Sequence, residues 1–164
     1  MKAVVYTSQT GFTAWYARLL AEKAGLPAIP LERAARELGR QDGVVFLGWL
    51  CAGRISGLKK ARRSFDVRAV CAVGMAPGRP ETVRKIQENT PTGGAPLFYL
   101  RGGYAPEKLK CVYRVMMKPI EAMTEKAAQR DPEAGEMRDA LARGANWSTP
   151  GQLVPLLAWL KGQG

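Results

Sequence analysis

The chain contains no histidine. That absence removes Ser-His-Asp and Cys-His nucleophile systems and argues against a catalytic zinc site, because each leans on imidazole near neutral pH. Cysteine is scarce too. Cys51, Cys71 and Cys111 are odd in number and widely spaced, so neither a disulfide framework nor a paired-cysteine metal or redox site is indicated, and Cys71 reads as a core residue. No apolar run reaches the roughly 18 residues of a spanning helix. Met1-Lys2 leads straight into an apolar strand with no secretory leader, so a cytoplasmic protein is expected. Acidic residues are also few, with 14 Asp and Glu against 25 Lys and Arg and a net charge of +11. Hard chemistry in a chain so composed calls for a cofactor.

What is present is an ordinary globular composition, 46% hydrophobic and 24% charged, over 164 residues. That length suits one domain with one core. Apolar runs recur at Ala3–Tyr6, Gly43–Leu47, Arg68–Val73 and Pro96–Leu100, with a weaker one near Pro27–Pro30, and helically spaced segments separate them. Five strands alternating with helices predict an α/β fold, a doubly wound parallel sheet covered on both faces. Trp15, Tyr16, Leu19 and Leu20 mark a first helix ending near Gly25. Thr149-Pro150-Gly151-Gln152 reads as a capping box opening a last helix that buries Leu153, Leu156, Leu157 and Leu160. Residues 104–145 follow the fifth strand and read as a helical insertion within the single domain 1–164. There Leu109, Val112, Tyr113, Met116, Ile120 and Met123 keep helical spacing, Lys110, Arg114 and Lys118 form a basic row, and Pro119 is placed to bend the helix.

The richest stretch is Thr7-Ser8-Gln9-Thr10-Gly11-Phe12-Thr13, between the first strand and the first helix. A helix N-terminus offers about four unpaired N–H groups and a partial positive charge. With the hydroxyls of Ser8, Thr10 and Thr13 added, the expected anion is a phosphate. No Lys or Arg lies between Tyr6 and Arg18, unlike a Walker loop, and GxGxxG is absent. Hydroxyls and amides alone suit a terminal monoester. A plain N-cap would use the same residue types. At Ser8-Gln9-Thr10-Gly11-Phe12-Thr13 the chain resembles flavodoxins, whose Ser/Thr-x-Thr-Gly-x-Thr loop binds the FMN phosphate; Phe12 stands where their Asn is usual.

That resemblance implies FMN as cofactor and a strand order of 2-1-3-4-5, with the ligand at the switch point beyond the strand ends. Two more loops then converge on the flavin. Gly48, Trp49, Leu50, Cys51, Ala52 and Gly53 follow the third strand, with Trp49 placed to stack on the ring. Gly74, Met75 and Ala76 follow the fourth, where the aromatic common in flavodoxins is missing. Tyr104 is one candidate to fill that gap. The catalytic residues, if any, are not legible.

The segment Gly102–Met123 resembles the insertion of menaquinone-dependent protoporphyrinogen oxidases of the flavodoxin superfamily, with Arg114, Met116, Lys118 and Ile120 on that pattern. The resemblance implies a redox protein, an electron carrier or an FMN-dependent oxidoreductase, coupled to a quinone or another redox partner. The positive charge suits an acidic protein or an anionic membrane surface. Arg54, Lys59, Lys60, Arg62 and Arg63 follow the third strand and would favour an anionic reduced flavin. A flavin-free module of the same fold, holding another phosphorylated ligand or a protein, stays open as the alternative. Nucleic acid is not expected, because no RNA- or DNA-reading motif is present.

Overall fold

A computed structural model describes residues 1–163. They form two compact units, Met1–Gly102 with the C-terminal stretch from Ser148, and Gly103–Trp147. In the first unit the elements run β1 (Ala3–Tyr6), α1 (Phe12–Ala24), β2 (Ala28–Pro30), α2 (Leu31–Glu37), β3 (Gly43–Cys51), β4 (Arg54–Ile55), α3 (Leu58–Ser64), β5 (Asp66–Gly74), α4 (Pro80–Asn89) and β6 (Leu97–Arg101). The second unit holds β7 (Gly103–Tyr104), a 3-10 turn at Pro106–Lys108, α5 (Cys111–Ala128), α6 (Pro132–Arg143) and β8 (Ala145–Asn146). A 3-10 turn at Pro150–Leu153 and α7 (Val154–Lys161) complete the first unit.

The central sheet has the order β2-β1-β3-β5-β6, all parallel, with β4 antiparallel to β3 at its end. In strand-by-strand terms this is the order 2-1-3-4-5 of a flavodoxin-like doubly wound fold. Alternation along each strand explains why both faces need cover. Val5, Val44, Phe46, Val70 and Ala72 point to one side, where Leu31, Ala34, Leu58, Ala61 and Ile86 of α2, α3 and α4 meet them. Val4, Val45, Leu47, Ala69, Cys71 and Val73 point to the other, against Tyr16, Ala17 and Leu20 of α1 and Leu153 and Leu156 at the C-terminal end. Period-2 placement on a sheet with two apolar faces gives the unbroken apolar runs seen in the sequence. Burial raises the pKa of the Cys71 thiol, which keeps it an uncharged core residue.

Helix α1 ends where the sequence predicts. Gly25 takes the left-handed conformation at φ 64°, and the N–H of Leu26 donates to the carbonyl of Ala21 at 2.9 Å, a Schellman closure that a β-carbon would disfavour. In the second unit α5 runs through Pro119 without ending, and Asp131 caps α6 by accepting from the N–H of Glu133 at 3.0 Å.

Two expectations need correction. The third strand continues past Leu47 to Cys51, so Gly48, Trp49, Leu50 and Cys51 are strand residues; the chain then turns at Ala52-Gly53 into β4. The capping box at Thr149 is not formed in the expected way. Thr149 makes no side-chain bond to a backbone N–H of the turn, and Gln152, though its Nε2 lies 3.4 Å from the Thr149 hydroxyl, serves Arg101: its Oε1 accepts from the N–H of Arg101 at 2.6 Å and its Nε2 donates to the carbonyl of Arg101 at 3.2 Å. The reason is that Arg101 is the last residue of an edge strand, whose outward-facing N–H and C=O need partners. Tyr16 adds to the same knot, donating from its hydroxyl to the Arg101 carbonyl at 2.7 Å and accepting from the N–H of Thr149 at 3.2 Å.

Removing the amide in Gln152→Ala is expected to cost about 1–2 kcal/mol, the usual loss for backbone groups deprived of a partner. Urea unfolding measures it, and a variant as stable as the parent would show that solvent replaces Gln152 without loss.

Candidate functional site

Ligands of open parallel sheets bind beyond the carboxyl ends, where neighbouring strands send their chains to opposite faces. Here that point lies between β1 and β3. β1 leads to α1 on one face, and β3 leads through β4 to α3 on the other.

The loop after β1 is fixed at its start by Thr7, whose N–H donates to the carbonyl of Leu47 at 3.0 Å and whose hydroxyl donates to the carbonyl of Ser56 at 2.8 Å. Thr7 therefore ties the loop to β3 and to the residues after β4. Sequence reasoning gave it no such role, because the partner is 49 positions away. Ser8, Gln9 and Thr10 then cross the top of the sheet, half-buried. The Ser8 hydroxyl accepts from the N–H of Gly11 at 3.2 Å, and Gly11, at φ 105°, turns the chain into α1 with no atom near the position a β-carbon would take. The N–H of Trp15 donates to Gly11, so the N–H groups of Phe12, Thr13 and Ala14 precede the first bond of the helix. Thr13 is enclosed, 2% exposed, whereas Phe12 is half-buried. One buried polar atom in this loop has no partner: Nε2 of Gln9. Buried amide nitrogens are ordinarily bonded, so this one marks a place where a partner is wanted.

The β3–β4 hairpin forms the second wall. Ala52 at φ 48° and Gly53 at φ 75° both have positive φ, the requirement of a two-residue type I′ turn. Ala52 is the one non-glycine with positive φ among the described residues. An Asn-Gly or Asp-Gly turn would have been legible in the sequence; Ala-Gly was not. Alternation places Trp49, opposite Val73, on the α1 side of the sheet with Cys51, and sends Leu50 to the other face, where it packs below α3 and α4. Gly48 is needed for the hairpin itself. A β-carbon there would lie 2.5 Å from Cγ2 of Ile55 and 2.6 Å from the carbonyl oxygen of Ser56. The far strand is held at the C-terminal end of α4, since Oγ1 of Thr90, the residue after the helix, accepts from the N–H of Ile55 at 3.3 Å and a β-carbon on Gly53 would lie 3.2 Å from Nδ2 of Asn89.

The third wall follows β5. Arg101 Nε donates to the carbonyl of Met75 at 2.9 Å, and the Tyr99 hydroxyl donates to the carbonyl of Ala76 at 2.6 Å. Both donors come from β6. Gly74 and Gly78 leave room for Tyr99: a β-carbon on Gly74 would lie 2.7 Å from its hydroxyl, and one on Gly78 2.9 Å from its ring. So β6 supplies an aromatic beneath a loop that has none of its own. Burial pushes the Tyr99 hydroxyl up to about 12, with the Arg101 charge acting against it. Tyr104 belongs to the second unit, where it pairs with Ala145.

The cations after β3 are exposed, and Arg62 donates to the carbonyl of Pro91 at 3.0 Å. Leu58 and Ala61 bury the inner side of α3, while Lys59, Lys60, Arg62, Arg63 and, on β4, Arg54 are exposed. Of the 25 basic and 14 acidic residues, 8 and 7 fall in 103–147, leaving 17 and 7 in the rest of the chain. The excess of positive charge thus belongs almost wholly to the unit that carries the loops. Among the described residues no cluster of His, Cys, Asp and Glu is arranged to hold a metal. No protein-family model matches this chain, and no curated protein matches it.

Ala52→Gly is expected to leave stability unchanged or raise it by up to about 1 kcal/mol, whereas Gly53→Ala lowers it by about 1 kcal/mol or more, because positive φ penalises a β-carbon. Equal effects of the two in denaturant unfolding would speak against the turn described.

A second expectation concerns alkaline pH. Tyr99 has its pKa raised in the folded chain, from the ordinary 10.0 to about 12. The folded state therefore holds this proton more tightly, so the contribution is complete below pH 10 and declines as pH rises towards 12. Unfolding free energies measured across that window should fall less steeply in Tyr99→Phe than in the parent, and an identical slope would exclude Tyr99 as the source.

Proposed function

We propose that this chain is an FMN-binding redox protein of the flavodoxin superfamily, an electron carrier or a flavin-dependent oxidoreductase whose partner is a quinone or another redox protein. The observation that carries the reading is the loop Ser8–Thr13. It is a hydroxyl- and amide-lined turn into a helix N-terminus at the switch point of the sheet, with the buried Nε2 of Gln9 lacking an acceptor.

A terminal phosphate fits these residues. Helix N–H groups at Phe12, Thr13 and Ala14 and the hydroxyls of Ser8 and Thr10 are all donors, and the Gln9 amide adds one more. No side-chain cation is needed, because the backbone dipoles and hydroxyls supply the compensation. Trp49, on the α1 side of β3, would be the aromatic available to hold the ring, together with the loops at Ala52-Gly53 and Met75-Ala76. The flavin, when bound, supplies the electron chemistry that a chain without histidine lacks.

The protein's own contribution is positioning and charge. The hairpin and the Tyr99 and Arg101 anchors hold two walls before any ligand arrives, which lowers the cost of ordering them on binding. The exposed row at Arg54, Lys59, Lys60, Arg62 and Arg63 favours an anionic reduced cofactor, so reduction potentials above those of acidic flavodoxins are expected.

Absorption titration with FMN tests the reading. Thr10→Glu puts a carboxylate where the phosphate is expected and should abolish binding with the far-UV circular dichroism unchanged. Binding by the parent that survives Thr10→Glu would place the ligand elsewhere. No binding by the parent at high micromolar FMN would favour a flavin-free module that holds another phosphorylated ligand.

A further inference from the structure

Helix α5 is 18 residues long and none of its residues is buried. Val112, Val115, Met116, Ile120 and Met123 are 61%, 63%, 47%, 46% and 72% exposed. Steps of three and four residues put them on one face of the helix, with Pro119 among them. Eight large hydrophobic side chains are exposed among the described residues, and five of them are these. An exposed apolar surface so concentrated marks an interaction site rather than ordinary scatter. The cover that α6 provides goes to another face, where Tyr113, Met117, Thr124 and Ala128 are half-buried.

We propose that α5 docks the protein on an anionic lipid surface, lying in the plane of the membrane with this stripe in the boundary between headgroups and acyl chains. Charge selects the occupant. Lys126 stands one turn beyond Met123, at the border of the stripe; Lys118, one turn beyond Val115, shares the outer flank with Arg114, Glu121 and Glu125, so the selection rests on Lys126 and on the net charge of +11. A lysine at such a border extends its ammonium group to headgroup phosphates while its stem stays on apolar surface. A second copy of the chain would bring two molecules of net charge +11 together. The centre of a protein–protein interface is typically anchored by Trp, Tyr or Arg in a pocket, and the stripe has none of these. Acyl chains require only apolar area, and an interfacial helix gains from both that area and anionic headgroups. No helix among the described residues is long and apolar enough to cross a membrane, so α5 lies on the surface.

The inference does not rest on the flavin. Its test is co-sedimentation of the full chain with vesicles of phosphatidylglycerol and phosphatidylcholine, compared with phosphatidylcholine alone. Binding to the anionic vesicles, weakened by salt, is the expected result. Met116→Glu with Ile120→Glu replaces two exposed residues, so the far-UV spectrum should be unchanged while vesicle affinity falls about tenfold or more. Lys118→Glu with Lys126→Glu should weaken binding to the anionic vesicles specifically. Full binding by the Met116 and Ile120 double variant would overturn the proposal, since charge on the rest of the chain would then suffice. Absence of vesicle binding by the parent overturns it as well, and a concentration-dependent dimer that this double variant dissociates would identify a second copy as the occupant.

Discussion

Burial of the sheet on both faces is the constraint from which the rest of the first unit follows. Once β1, β3 and β5 carry apolar side chains in both directions, no polar chemistry fits along the strands, and helices must cover each side. Everything that can meet a ligand is displaced to the carboxyl ends. There the chain has to leave the sheet toward one face or the other, and the divergence of β1 and β3 opens the only kind of crevice such a sheet offers.

The ends need fastening, and the means used here are polar and long-range. Arg101 is tied by Gln152 and Tyr16 and itself ties Met75, so the last strand, the first helix, the C-terminal turn and the loop after β5 share one set of hydrogen bonds. Tyr16 is buried and its hydroxyl pKa is raised by that burial, with the bond from Thr149 opposing. A neutral phenol both donates and accepts, so its two bonds are compatible only with the protonated form. Thr7 performs a similar fastening between β1 and the segment after β4. Loops held from below in this way can present backbone groups without being covered themselves.

The sheet was legible from sequence because apolar runs and helical spacing are local signals. The same holds for Gly25, whose left-handed closure follows a periodic segment. The hairpin was not legible. Gly48 looks like a glycine in a loop, yet its lack of a side chain serves the packing of Ile55 and Ser56 against a strand that continues through it. Gln152 fits a capping pattern three residues after Thr149, and only the position of β6, far away in sequence, diverts it. Gly74 and Gly78 likewise make way for Tyr99. In each case a local pattern has two physical solutions and a distant residue chooses between them. The Ser8–Thr13 turn does form where its pattern places it, between the first strand and the first helix, with Ser8 accepting from the N–H of Gly11.

The two units divide surface character as sharply as they divide the chain. Nearly all of the net positive charge lies in 1–102 and 148–164, while the concentrated exposed apolar surface lies on α5. Charge acts over about a Debye length and attracts without fixing a pose; apolar area acts only in contact. A chain that carries both has a reason to approach an anionic boundary and a reason to stay there. Because α5 contributes nothing buried to its own unit, keeping Val112, Val115, Met116, Ile120 and Met123 apolar brings no folding benefit in proportion to their number. On the proposed docking, the stripe is matched to a surface outside the chain.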